Sequence, residues 1–353
     1  MDLGTSVEQD QLVDAFSGLY AKHSTPERVR AAEPLGFDPA LWAHLRELGT
    51  TAMAVGEEHG GWGATVLDLA LVAEQQGRFV APAPVIETQV AARLLAAASS
   101  TSEAAAAALA EVLAGERLVT LALHPATATG GGRRAGLVPA GAVADAAIVL
   151  AGDRLVLTSL GGEDTRRTVE NLGSMPLADI AVAEGGAGAE ELAAGPVAAE
   201  LLDKAIDDWL VLTAAALVGI GARALELGVE YVKERKAWGV PIGSFQAVAH
   251  PLADSATAVD GSRVLAYKAA WAAAEQPERA AELAAMAFAD AAESARDATY
   301  RSLHFHGGYG FMMEYDVQLL YRRARAWANV YAEPAAAYRR VADKRYGPAG
   351  GAG

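Results

Sequence analysis

The sequence predicts an α+β chain, mainly α, in three parts: a helical domain over residues 1–117, a small middle β domain over 118–198 and a four-helix bundle over 199–353. Three observations carry this reading. Apolar residues recur every three or four positions toward both ends of the chain. Between about Leu118 and Pro196 the pattern changes to short apolar runs broken by Gly, Asp and Pro. Beyond Glu200 the helical period returns in longer segments with short links, as antiparallel bundle helices require.

In the first part, Asp38-Pro39 has the order of an N-cap followed by proline at the first helical position, and Gly49 follows Leu45-Arg46-Glu47-Leu48 as a C-terminal stop. A second helix is expected from Val66 to Gln76, stopped by Gly77, with Leu69, Val72 and Ala73 turned inward. In the middle part, Leu118–Leu123, Ala146–Leu150, Leu155–Leu157 and Ile180–Val182 read as strands, and Gly152-Asp153 as a hairpin turn between two of them. Two Gly-rich loops are expected, at Gly130-Gly131-Gly132 and from Gly185 to Gly188.

In the third part, Leu210, Ala214, Leu217, Gly221, Leu225, Gly228 and Val232 form one stripe whose small members admit a neighbouring helix. Segments from Ser244 to Ala274, Pro277 to His304 and Tyr315 to Val330 follow, with a short tail helix after Pro334. Pro251 lies inside the first of these, where it removes a backbone hydrogen bond and is expected to kink the helix unless it falls in the opening turn.

Composition narrows the function. The 353 residues are 52% hydrophobic and 21% charged, which suits a globular core and not a disordered tail. A net charge of −15 argues against non-specific affinity for nucleic acid or an anionic membrane. The absence of cysteine excludes disulfides, thiolate metal sites and cysteine nucleophiles. The opening MDLGTSVEQD has no signal-peptide pattern, and the run Trp209–Ala222 falls short of the ~18 apolar residues of a membrane span. A cytoplasmic chain is expected.

Three stretches could carry chemistry. From Glu234 to Gln246, a helix ending in Arg235 and Lys236 runs into Trp238, a Gly/Pro loop and a new helix opening at Ser244-Phe245-Gln246. A guanidinium fork suits a pyrophosphate and an indole face suits an adenine. Spacing alone favours a plainer reading, with the cations complementing a helix end and Trp238 plugging the bundle. The second stretch is His304-Phe305-His306-Gly307-Gly308-Tyr309-Gly310, where paired glycines let a ligand approach the backbone or simply end a helix. His304 and His306 point apart on a helix, so no metal pair is expected. The third, Glu57-Glu58-His59-Gly60-Gly61-Trp62-Gly63, reads as a solvated turn and not as an acid-base site. P-loop, HExxH and GxSxG patterns are absent.

Taken together, ERKAWGVPIGSFQAVAHPLAD and HFHGGYGFMMEY, with LWAHLRELGTTAMAVGEEHGGWGATVLDLALVAEQQGR near the N-terminus, resemble the acyl-CoA dehydrogenase family over nearly the whole chain. The resemblance implies FAD at a subunit interface, one subunit cradling the flavin and its neighbour gripping the ADP half. It places Arg235 on the pyrophosphate, Trp238 where phenylalanine is usual, Phe245 and Gln246 beside the adenosine, and Gly307-Gly308 against the phosphates. Ala237 stands where a polar residue is common, and His304 where glutamine is common. The family's ring-binding strands have no counterpart: Leu118-Val119-Thr120-Leu121-Ala122-Leu123-His124-Pro125 lacks the threonine-rich pattern, and the Trp-Ile-Thr-type strand is missing.

Dehydrogenation of an acyl thioester needs a carboxylate for the α-proton. The family's usual glutamate position falls here on Tyr331 or Ala332, with Glu333 just beyond. The alternative position, early in the first bundle helix, falls near Trp209, one residue after Asp208. No catalytic residue is therefore assigned. The resemblance implies the non-catalytic subunit of an α2β2 enzyme acting on a bulky acyl-CoA, such as a steroid side-chain intermediate, with an electron-transfer flavoprotein as acceptor. Two alternatives stand beside it: a self-sufficient homotetramer using Glu333 or Asp208, and a flavin-free scaffold.

Overall fold

The computed structural model describes residues 4–130, 132–162, 164–182 and 188–347. Six helices come first: α1 (Val7–His23), α2 (Pro26–Ala32), α3 (Pro39–Glu47), α4 (Val66–Arg78), α5 (Val85–Ala98) and α6 (Glu103–Leu113). Strands β1 (Val119–Leu121), β2 (Thr127–Thr129), β3 (Gly132–Val138), β4 (Ala146–Ala151), β5 (Arg154–Ser159), β6 (Arg166–Thr168), β7 (Ala178–Val182) and β8 (Ala189–Ala194) follow. Then come α7 (Pro196–Glu234), a ribbon of β9 (Lys236–Ala237) and β10 (Val240–Pro241), α8 (Gln246–Glu275), α9 (Pro277–Phe305), α10 (Val317–Tyr331) and α11 (Pro334–Tyr346). The α+β, mainly helical class is as expected. Contacts gather the chain into two compact units: residues 4–30, 66–81 and 210–347, and residues 31–65 and 82–209.

In the first unit α1 and α4 run parallel. Gln9 Nε2 donates to Asp68 Oδ1 near their starts, and Ser24 Oγ donates to the Phe79 carbonyl near their ends. Gly77 does not stop α4, as the sequence suggested; it lies inside the helix. A Cβ there would stand 1.8 Å from the Ala216 carbonyl oxygen of α7, and one at Gly219 would stand 2.0 Å from the Glu74 carbonyl oxygen. The glycine that resembles a terminator is a contact point between two backbones. The expected stripe on α7 works the same way. A Cβ on Gly221 would meet Val259 Cγ2 of α8 at 3.2 Å, and one on Gly228 would meet Ser302 Oγ of α9 at 2.8 Å. Pro251 sits in the second turn of α8, which continues through it.

Glu74 is buried and held by Arg263 Nε at 3.0 Å and by the Tyr267 hydroxyl at 2.7 Å, so α4 is tied to α8 by a satisfied ion pair. Glu282 on α9 likewise accepts from Arg345 of α11 at 3.0 Å. By length and composition α7 passes for a membrane span, contrary to the sequence expectation, but 72% of that window is buried inside the protein, as in a core helix.

In the second unit Asp38 caps α3 as expected, accepting from the Ala40 and Leu41 N–H groups, and Gly49 follows the helix at φ +67°. The strands form two four-stranded sheets, ordered β1-β4-β5-β8 and β2-β3-β7-β6. Among the described residues only the β1–β4 pair is parallel. The expected Gly152-Asp153 hairpin joins β4 to β5, pairing Ala151 with Arg154. Four strands went unrecognised in the sequence: β2, β3, β6 and β8. Gly131 and residues 185–187 of the two expected loops lie outside the described residues. The stretch from Glu57 to Gly60 is a short 3-10 turn closed by Gly60 in the left-handed region, in keeping with the plain reading.

Candidate functional site

The end of α7 leads directly into the two-strand ribbon, where Ala237 pairs with Val240. The two turn residues, Trp238 and Gly239, both have positive φ, +50° and +85°, as a type I′ hairpin demands. Glycine meets that demand freely; a bulky indole does not, so Trp238 is held in a strained position. Its side chain is 91% exposed, which overturns the plainer reading of a bundle plug. Phe245, the residue before α8, stands edge-on to it at 5.8 Å. Arg235 and Lys236 are exposed beside the turn, and Gln246 opens α8 with its side chain in solvent.

The second motif comes to the same end of the bundle through a pair of rings. His306 is buried; its Nδ1 lies 2.7 Å from the Ser302 carbonyl, which fixes Nδ1 as the protonated nitrogen. Its ring stacks on Tyr231 of α7 at 4.2 Å. Tyr231 is one turn before Arg235 and His306 immediately precedes Gly307, so this stack brings the two motifs together. The sequence reading weighs His306 only as half of a metal pair and does not single out Tyr231, whose signal is its spacing, one turn before Arg235. Gly307 and Gly308 are exposed, and a Cβ at either would meet nothing within 4 Å. Gly310, by contrast, is required by packing, since a Cβ there would stand 2.4 Å from the Leu303 carbonyl oxygen. His304 is exposed and stacks on Tyr300 at 6.0 Å.

A cationic fork, an exposed indole and open glycine backbone fit a nucleotide diphosphate: guanidinium donors for phosphate oxygens, a flat face for a base, and no side chain in the way. The strand expected to face a flavin ring does not fit one. Thr120 on β1 is buried, and its hydroxyl donates to the Pro139 carbonyl at 2.6 Å.

The carboxylates near the two possible base positions are engaged or misplaced. Asp208 is buried, with Oδ2 2.7 Å from Arg93 Nε, and Arg93 Nη1 also donates to the Ala54 carbonyl. Trp209 is fully buried, and desolvation pushes the carboxyl of half-buried Glu87 up to about 7. Tyr331 ends α10 edge-on to Phe288 at 6.0 Å, Ala332 carries no ionisable group, and Glu333 is exposed, its carbonyl accepting from Ala336 N–H. Glu87 was not singled out from the sequence, which gives no sign of its burial. Among the described residues no cluster of His, Asp or Glu could hold a metal ion.

Residues 6–116 match the acyl-CoA dehydrogenase N-terminal domain and residues 205–329 its C-terminal domain. The chain belongs to the acyl-CoA dehydrogenase family, whose members are oxidoreductases acting on acyl-CoA. It is 30% identical over 337 residues to acyl-CoA dehydrogenase IpdE2 of Mycobacterium tuberculosis, covering 95% of this chain and 96% of the relative. Acyl-CoA dehydrogenase FadE27 of the same organism is 30% identical over 348 residues, covering 92% and 91%. Among solved structures, the ChsE4-ChsE5 complex from Mycobacterium tuberculosis superposes with a TM-score of 0.85 at 26% identity over 99% of this chain and 100% of the other. A Tcur3481-Tcur3483 steroid ACAD gives 0.84 at 26% identity, covering 96% and 97%.

Proposed function

We propose that this chain is the non-catalytic subunit of a heteromeric, FAD-dependent acyl-CoA dehydrogenase acting on a bulky acyl-CoA thioester, with a second chain of the same family as its partner. The observation that carries the reading is the state of the carboxylates. Asp208 is ion-paired to Arg93 and buried, Glu333 faces solvent, and Tyr331 or Ala332 stands where the family resemblance places the base. A general base must reach the proton it abstracts, and neither side chain is disposed to do so. The likeness to the ChsE4-ChsE5 complex supports a paired assembly, and the likeness to a steroid ACAD supports a steroid side-chain thioester as substrate.

FAD, when bound, accepts the β-hydride of the thioester. This chain's part is to bind and orient: Arg235 forks onto the pyrophosphate, Trp238 and Phe245 offer ring faces to the adenosine, Gln246 donates beside it, and His304, Gly307 and Gly308 lie along the phosphates. The partner supplies the flavin-ring cradle and the carboxylate that removes the α-proton. An electron-transfer flavoprotein then takes the electrons, and the assembly works in the cytoplasm.

Co-expression with a candidate partner, followed by flavin absorbance and dehydrogenation with an artificial electron acceptor, tests this. A yellow, active complex and a colourless or aggregated lone chain are expected. Turnover by this chain alone would establish the self-sufficient alternative, and a colourless complex the scaffold.

A further inference from the structure

We propose that the pocket where the ends of α1 and α4 meet α7 and the start of α10 binds an amphipathic monocarboxylate, its tail among apolar side chains and its head on Arg223. The pocket holds about 320 Å³. Its walls are Phe79, Val80, Leu227, Leu319 and Leu320, with Ala21 exposed at the mouth. A largely apolar cavity with a few convergent polar groups is the usual form of a small-ligand site.

Charge decides the head group. Asp316, on the rim, is neutralised by Arg30 Nη2 at 2.6 Å. Arg78 uses both terminal nitrogens on the two oxygens of Glu226, each at 2.7 Å. Arg223 shares the same carboxylate through Nη1 alone, at 3.1 Å. Two guanidinium groups thus face one carboxylate, and Arg223 keeps Nε and Nη2 without another protein hydrogen bond among the described residues. A ligand carboxylate would balance the surplus and accept from that free edge.

The wall itself points to a binding role. Val80 closes α4 with its N–H to the Gly77 carbonyl and sits at φ +42°, a genuine outlier for a β-branched residue. Glycine would end the helix there without strain. A valine kept at that cost, 7% exposed and lining the cavity, is strain of the kind that gathers at ligand clamps. The site is separate from the proposed chemistry: Leu320 lies about 16 Å of helix rise before Tyr331, at the end of α10. The inference does not rest on the proposed function.

Titration calorimetry on the full chain, co-purified with whatever subunit it assembles with, uses sodium decanoate as probe and decyltrimethylammonium as the same tail with the opposite charge. Decanoate is expected to bind at one site per chain, at least tenfold tighter than the cation. Arg223→Gln, which leaves the Arg78–Glu226 bridge in place, should weaken decanoate at least tenfold with no change in melting temperature. Leu227→Trp should abolish binding by filling the cavity, and Ala21→Trp at the exposed mouth gives the same test without altering the interior. No saturable decanoate binding, equal binding of both probes, or unchanged affinity in Arg223→Gln and Ala21→Trp would each overturn the proposal.

Discussion

Along the single helix α7 and the turn that follows it, two stretches are treated in opposite ways. Around Asp208 and Trp209 the side chains are buried, the carboxylate paired with Arg93 beside a cavity of about 250 Å³. Around Arg235 and Trp238 the groups are exposed, and the indole is held outward by a turn that strains it. The buried stretch holds its carboxylate in an ion pair within the chain; the exposed one turns its cation and its indole outward. The proposed role, lending contacts and leaving the reaction to a partner, rests on this contrast.

The packing beneath the contrast is the easiest part to break. Gly77→Ala drives a methyl group into the Ala216 carbonyl at 1.8 Å, and overpacking against backbone should cost about 3 kcal/mol or more, read as a lower urea midpoint. The engaged stretch comes next. Glu87 titrates near 7 in the native state against 4.5 ordinarily, so between those values the native chain holds a proton that the unfolded chain has lost. Stability should therefore fall as pH rises from 5 to 8, by up to about 3 kcal/mol, and Glu87→Gln should flatten that slope. Asp208→Asn leaves Arg93 without its partner and should lower stability by about 2 to 3 kcal/mol while leaving turnover of the complex within a few-fold.

At the exposed stretch, Arg235→Ala should leave the fold untouched and lower flavin retention by the complex by about tenfold to a hundredfold, the loss of a charge-assisted fork. Full flavin occupancy in that variant would reduce Arg235 to a helix-end charge and erase the contrast. Expression alone should give aggregates or a flavin-free oligomer, because Trp238, Phe311 and Met313 are left uncovered, and a stable yellow homotetramer would contradict this.

The sequence made legible what local rules decide. The Asp38 cap, the Gly152-Asp153 hairpin and the long helices after Glu200 each follow from neighbours in the chain. It hid what tertiary contacts decide. Strand β8 reads Ala-Glu-Glu-Leu-Ala-Ala, a helix-forming composition that pairs with β5 and buries Leu192. Gly77 resembles a terminator and is a helix-helix contact. At the candidate site, Arg235, Trp238 and the Gly307-Gly308 pair are singled out by the family resemblance, where spacing alone favours a plainer reading. The Tyr231–His306 stack that joins them and the desolvation of Glu87 arise only from partners distant in sequence.

The central claim, that this chain holds flavin without removing the α-proton, is tested most directly by turnover per bound flavin in the assembled complex carrying Glu333→Gln, assayed with an artificial electron acceptor. The account predicts a rate within a few-fold of wild type, with loss of turnover when the partner's glutamate is removed instead. A fall of about a thousandfold, the usual cost of losing a general base, would place the chemistry on this chain and contradict it.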